Sequence, residues 1–215
     1  MQKRHYEWSE NLAYSVGLIA SDGCLLSDGR HIDLTSKDIS QLKNFSKALR
    51  RNFHIGMKRN GVGKTSYRIQ FSDVAYYDFL IDAGLTPAKS RSISRLNVPT
   101  QFYSDFIRGV FDGDGTTYAY FDPRWPKSFL YYTAITSASR AFLDWIVTEN
   151  KQLYGIRGSS IRSCDKAFSL VYGKKDSLLL YKNMYYTPSC IFLKRKKLKL
   201  ESFIRQDKNA TILQQ

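Results

Sequence analysis

Apolar and polar positions follow two different periods along this 215-residue chain, and the changes of period mark out its elements. Residues 12–23, LAYSVGLIASDG, are helical in pattern, carry small residues four apart and end in Asp-Gly. CLLSDGRHIDLTS sets an SDGR turn between two short runs, which predicts a hairpin. DISQLKNFSKALRRNF opens with Asp38 as N-cap and places Ile39, Leu42, Phe45 and Leu49 on one helical face. In HIGMKRNGVGKTSYRIQFS a Gly-rich turn joins two strands, and Tyr67, Ile69 and Phe71 alternate with Ser66, Arg68 and Gln70. VAYYDFLIDAGL predicts a helix that stops at Gly84, just ahead of Pro87.

The second half repeats this plan. SDFIRGVFDGDG (104–115) aligns with residues 12–23, so that Gly17 matches Gly109, Asp22 matches Asp114 and Gly23 matches Gly115, each 92 residues on. TTYAYFDPRWPKSFLYYTAITS predicts a hairpin whose turn carries Pro123 and Pro126, SRAFLDWIVTENKQLYG a helix, IRGSSIRSCDKAFSLVYG a hairpin around 164–166, and KDSLLLYKNMYY a helix. The expected fold class is α+β, a duplicated α-β-β-α-β-β-α. Residues 1–89 form the first repeat, 90–100 an aperiodic linker, 101–205 the second repeat and 206–215 a frayed tail.

Composition narrows the partner. Lys and Arg number 33 against 19 Asp and Glu, a net charge of +14 on a chain that is 43% hydrophobic. That apolar fraction suits a globular body rather than a basic disordered tail. The charge points to a polyanion, nucleic acid first and an anionic membrane surface second. Both halves share it, at +6 for residues 1–100 and +8 for 101–215. No apolar run reaches the roughly 18–20 residues of a membrane span, and MQKRHYEWSENLAY lacks a signal-peptide core, so an intracellular, non-secreted protein is expected. Cys24, Cys164 and Cys190 have neither disulfide nor zinc spacing.

The two repeated helices carry the chemistry. Gly17 with Ser21, and Gly109 with Gly113, give small-xxx-small faces that let two helix backbones approach closely. Asp22 and Asp114 end their helices, where the macrodipole disfavours a carboxylate by a few tenths to about 1 kcal/mol. Side by side, the two carboxylates need a cation between them or must share a proton, and a hard divalent ion, Mg²⁺ first, answers that need. Asp-Gly is also a common turn pair, and the residues alone leave that reading open.

VGLIASDG and RGVFDGDG closely resemble the LAGLIDADG motif, and the duplicated plan resembles single-chain LAGLIDADG homing endonucleases from about residue 10 to 204. The resemblance implies that Asp22 and Asp114 are metal-binding catalytic acids, helped by the carbonyls of Ser21 and Gly113, with Mg²⁺ as cofactor and Mn²⁺ or Ca²⁺ able to occupy the same site. It implies hydrolysis of one phosphodiester per strand, leaving short 3′ overhangs. A family lysine near the end of each repeat maps best to Lys196, then Lys194, with Lys89 as the first-repeat counterpart; 194-KRKKLK-199 reads equally as a solvated basic face or phosphate clamp. A polar residue after the second strand, organising water, maps to Ser36 and Ser137. The first copy departs by having Ala20 where the motif has its earlier acid, which the second keeps as Asp112, and by having Ser21 for the usual Ala. His5, His31 and His54 fall outside the motif helices.

The same resemblance implies double-stranded DNA as partner, gripped by the outer faces of two curved antiparallel sheets. Alternation puts Asp33, Ser66, Arg68 and Gln70 on the outward face of the first half, with Lys58, Asn60 and Lys64 near one hairpin tip. Arg124, Lys127, Arg157, Arg162 and Lys166 are their counterparts in the second half. Arg suits guanine and Gln suits adenine in a major groove. Covalent fusion of unlike halves implies a monomer and a long, imperfectly palindromic target. Two alternatives belong to other classes: an intron maturase binding RNA, and a DNA-binding regulator that keeps the fold without cleavage.

Overall fold

The computed structural model describes residues 5–59 and 65–207, and only the backbone of Pro126 and Lys127. Asn60, Lys64, the side chain of Lys127 and residues 208–215 of the expected tail therefore lie outside the described residues. The first half runs α1 (Glu10–Asp22), β1 (Gly23–Leu25), β2 (His31–Ser36), α2 (Ile39–Ala48), β3 (Gly56–Arg59), β4 (Thr65–Ser72) and α3 (Val74–Asp82). A 3₁₀ turn at Thr100–Phe102 leads into the second: α4 (Tyr103–Asp114), β5 (Gly115–Asp122), β6 (Trp125–Ser137), α5 (Arg140–Tyr154), β7 (Ser160–Cys164), β8 (Ala167–Tyr172) and α6 (Lys174–Met184). One further helix, α7 (Lys194–Gln206), follows. The chain is thus α+β with two four-stranded antiparallel sheets, ordered β1-β2-β4-β3 and β5-β6-β8-β7, the same order in each half.

Local chemistry sets the boundaries. Ser9 caps α1 by accepting from the Leu12 N–H, Asp38 caps α2 through Ser40, and Ser139 caps α5 through Phe142. Gly84, at φ +96°, takes the chain out of α3 in a conformation that a side chain would strain. In the first sheet Leu34 pairs with Ile69 and Ile32 with Phe71 on the core side, while Asp33 pairs with Gln70 and Thr35 with Arg68 on the other.

The 90–100 linker is anchored at two points: Ile93 and Leu96 are buried, and the Ile93 carbonyl accepts from Ser139 Oγ at 2.5 Å. Two expectations at the edges change. Residues 206 and 207 are not frayed: α7 runs to Gln206, and buried Asp207 pairs with Lys174 at 2.9 Å. Pro126 lies in β6 instead of the turn; that part of β6 extends past its pairing with β8, so no ladder donor is lost on that side.

One apolar core runs through both halves, and α1 against α4 is the most extensive contact between any two elements. Glycine makes it possible. A Cβ on Gly17 would stand 2.2 Å from the Phe106 carbonyl oxygen, and one on Gly109 2.2 Å from that of Tyr14. A Cβ on Gly113 would fall 1.9 Å from Ser21 Oγ. Backbone oxygens cannot give way as a side chain does. Gly17→Ala or Gly109→Ala is therefore expected to cost about 3 kcal/mol or more in urea unfolding. Gly173→Ala, where a Cβ meets nothing within 4 Å, should unfold like wild type.

Candidate active site

The close helix pair delivers two carboxylates to one place. Asp22 and Asp114 are the last residues of α1 and α4, both partly buried, and an ideal Cβ at Gly113 would lie 3.3 Å from Asp22 Oδ2. Burial pushes both acids up, Asp114 to about 6 with the charge of Asp22 adding to the effect. Neighbouring lysine charges oppose the shift in each case.

Those lysines are Lys89 and Lys196, both buried. Lys89 Nζ donates to the Gly23 carbonyl at 2.7 Å, and Lys196 Nζ to the carbonyls of Phe111 and Gly113 at 2.8 and 2.7 Å. Each ammonium thus sits on the negative end of a motif helix, which satisfies carbonyls left open by the helix terminus. Burial lowers both, Lys196 to about 8, while the nearby aspartate charges raise them. Lys194 is exposed at the start of α7 and is not drawn in.

Around this shared centre the two halves differ. Gln41 Nε2 donates to Asp22 Oδ2 at 2.6 Å, and its Oε1 accepts from Ser36 Oγ at 3.0 Å. Ser36 thereby reaches Asp22 through Gln41 and also accepts from the Asp38 N–H at 3.1 Å. Ser137 accepts from the Ser139 N–H at 3.2 Å, but three residues beyond that cap stands Phe142, where α2 has Gln41 three beyond Asp38. On the other side, buried Asp112 accepts from Tyr14 Oη and from the Leu193 N–H, both at 2.7 Å. Leu193 is the N-cap of α7, so this carboxylate fixes the start of the helix that carries Lys196. Arg108, 1% exposed, donates to Asp105 at 2.5 Å and to the carbonyls of Met184 and Ile191, holding the same segment.

Neither Gln41 nor the Asp105–Arg108–Asp112 set stands out in the hydrophobic pattern. The second had a signal: three charged residues on one face of an otherwise apolar helix, too buried to be a solvated stripe.

The other candidates lie on the sheet strands and in the turns and loops beside them. Arg68 pairs with Asp33, which also accepts from Thr35 Oγ1 at 3.0 Å, while Gln70 and Lys58 are exposed. Ser66 Oγ donates to the Lys58 carbonyl at 3.3 Å. Arg124 is held in its turn by Asp122 at 3.0 Å, and Arg157, Arg162 and Lys166 are exposed.

No family model matches the sequence, and no curated protein matches it. Solved structures do. The homing endonuclease I-WcaI bound to its DNA recognition sequence superposes with a TM-score of 0.64 at 12% identity, over 91% of this chain and 88% of that one. Mesophilic variants of the homing endonuclease I-DmoI give 0.56 at 17% identity, over 83% and 96%. Full-length DUF199/WhiA from Thermatoga maritima gives 0.61 at 16% identity over 96% of this chain, which spans 66% of its length. The chain has the LAGLIDADG homing-endonuclease fold. Among the described residues no helix is long and apolar enough to cross a membrane.

A carboxyl raised from 3.8 to about 6 is protonated more readily in the folded than in the unfolded chain. Its contribution to stability falls as pH rises from about 4 to about 6 and stays unfavourable above. In metal-free buffer at pH 8, Asp114→Asn should therefore be more stable than wild type by roughly 1–3 kcal/mol. The gain should vanish below about pH 4, as urea unfolding at the two pH values will show.

Proposed function

We propose that the protein is a site-specific double-stranded DNA endonuclease of the homing type, hydrolysing one phosphodiester per strand and leaving short 3′ overhangs at a long pseudo-palindromic target. The observation that carries this reading is the pairing of Asp22 and Asp114 at two helix C-termini, with one acid raised to about 6 and a buried lysine on the helix end beside each. Stability would select against that cluster, so its use is chemical.

The donors suit a hard divalent cation. Two carboxylates forced together gain from a positive charge between them, and the acceptor atoms beside them, the Gly113 carbonyl and the Ser21 hydroxyl, are oxygens as well. Among the described residues no three His, Cys, Asp or Glu side chains converge, so further ligands would come from carbonyls, Ser21 and Gly113 in the first instance, and from water. Gly113 O already accepts from Lys196, which ties the lysine to the same atoms. Bound there, Mg²⁺ would lower the pKa of a water and offset charge on the phosphoryl oxygens. Mn²⁺ or Ca²⁺ would use the same donors.

The chain's own groups do the rest. Water attacks phosphorus, the P–O3′ bond breaks, and the 3′ oxygen leaves with the bonding pair and takes up a proton. Lys196 spends two of its three N–H donors on Phe111 and Gly113, leaving one to face a phosphate oxygen, and Lys89 spends one on Gly23. These donors are fixed before substrate arrives, so little reorganisation accompanies the charge that builds during attack. Gln41 orients Asp22, Ser36 orients Gln41, and Ser137 lies in the corresponding place of the other half without such a relay.

DNA partnership is supported by the charge of +14, by the polar outward face of the first sheet, and by the likeness to I-WcaI in its DNA-bound form. A monomer that acts inside the cell fits the fused halves and the unpaired cysteines.

The test is cleavage of a randomised duplex library in Mg²⁺. Wild type should cut a discrete target. Asp22→Asn and Asp114→Asn should lose cleavage by at least about 10³-fold while still binding, and Lys196→Met should cut about 10²–10³-fold more slowly at near-normal affinity. Tight duplex binding with no cutting in Mg²⁺ or Mn²⁺ would leave a non-cleaving DNA-binding protein. RNA bound more tightly than duplex would make it a maturase.

A further inference from the structure

The two outward sheet faces are chemically unlike. The first presents hydrogen-bonding groups: Gln70, Lys58 and the Arg68–Asp33 pair. The second is aromatic. Tyr131 turns inward onto Leu178, Leu200 and Ile204, so its neighbour Tyr132 faces out, and cross-strand pairing sets Tyr118 beside it on the same face. Tyr120, two residues along β5, joins them. Tyr118 and Tyr120 are 37% and 45% exposed, a large apolar area to leave open on a sheet.

The rings form a ladder. Tyr132 stacks on Tyr118 at 5.3 Å and on Tyr120 at 5.8 Å, with interplanar angles of 16° and 15°. Tyr132 is thus the ring common to both stacks, and Tyr120 Oη donates to Tyr132 Oη at 3.4 Å. A platform for single-stranded bases uses ring faces, and mutual stacking takes up part of what these three rings have. What the ladder offers is ring edges and hydroxyls, held in register by their own stacking.

Edges of that kind suit a surface that presents small apolar groups among acceptors. In a major groove the one such group is the C5 methyl of thymine. Position adds a constraint. β5 leaves the active site directly, because Gly115 follows Asp114. At about 3.3 Å per residue, Tyr118 and Tyr120 lie about 13 and 20 Å along the strand from Asp114. At about 3.4 Å per step, that is about four and six base pairs from the cleavage centre.

The geometry points to the Tyr118–Tyr132–Tyr120 ladder as a reader of thymine methyl groups in duplex DNA, four to six base pairs from the centre of one half-site only. The inference rests on the reading that the outward sheet faces meet duplex DNA. The first half has no equivalent, since β1 is three residues long and puts Cys24 on that face. The two half-sites are therefore read by partly different chemistry, since the second adds methyl contacts to the hydrogen bonds that groups such as Arg162 can make.

The full-length protein would be used to select from a randomised duplex pool in Ca²⁺, and the selected duplex remade with deoxyuridine at single positions, which removes only the methyl. Thymine should be enriched about four to six pairs from the centre on one side, and each T-to-U change there should weaken binding about fourfold, the equivalent of one buried methyl. The same change in the other half should do nothing. The Tyr118→Thr/Tyr120→Thr variant, which keeps strand-forming residues and is assayed well below its own unfolding midpoint, should bind T and U duplexes alike. Equal binding of T and U duplexes by wild type, or continued discrimination by the variant, overturns the inference while leaving the endonuclease reading intact. Discrimination without cleavage in Mg²⁺ does the reverse. Failure to enrich any duplex, with tight binding of single-stranded RNA, sinks both.

Discussion

Two helices can bring their C-terminal ends into one site only if nothing holds their backbones apart, and Gly17 and Gly109 supply that condition. Each presents bare backbone to the other helix at a distance no side chain would allow. From that contact follow the placing of Asp22 beside Gly113, the mutual repulsion that raises Asp114, and the seating of Lys89 and Lys196 on the helix ends. Burial then fixes the balance of charge. The lysines lower the aspartates and the aspartates raise the lysines, but desolvation is the largest effect on all four. The cluster is strained by lack of solvent more than by like charge, which is the condition in which a divalent cation gains most by entering.

Much of the fold was legible because its signals are local or repeated. The N-cap at Asp38, the stop at Gly84 and the alternation of Tyr67, Ile69 and Phe71 need only near neighbours in sequence. The two glycine-bearing helices needed the chain to be compared with itself. What stayed hidden depends on distant partners. Helix α7 reads as a run of basic residues, and only Lys196, Leu200 and Ile204 are buried. Four-residue spacing among so many charges is a weak pattern, and one of the three is itself a lysine. Residues 90–100 contribute just two buried apolar side chains, Ile93 and Leu96, too few to show a period. Of the candidate acid-site residues, the aspartates were visible as carboxylates in the wrong place for stability. Gln41 was not, since a glutamine on a helix surface is ordinary until its partner is known.

The departures from internal symmetry also have a common physical origin. In the first half the lysine arrives on the short turn after α3, and a single main-chain acceptor at Gly23 holds it. In the second half it arrives on α7, a longer element that starts without a side-chain cap. A helix start buried without a partner leaves its first N–H groups unsatisfied, and Asp112 answers one of them at Leu193. The first half has no such helix to anchor, and Ala20 fills the corresponding position at no polar cost. Arg195 then crosses from α7 to Asp38, the cap of α2, so the added helix braces the half that lacks one. An acid thus stands at 112, where a structural need for it exists, and alanine at 20, where none does, while the acid at the helix end, which no packing need explains, stands in both halves.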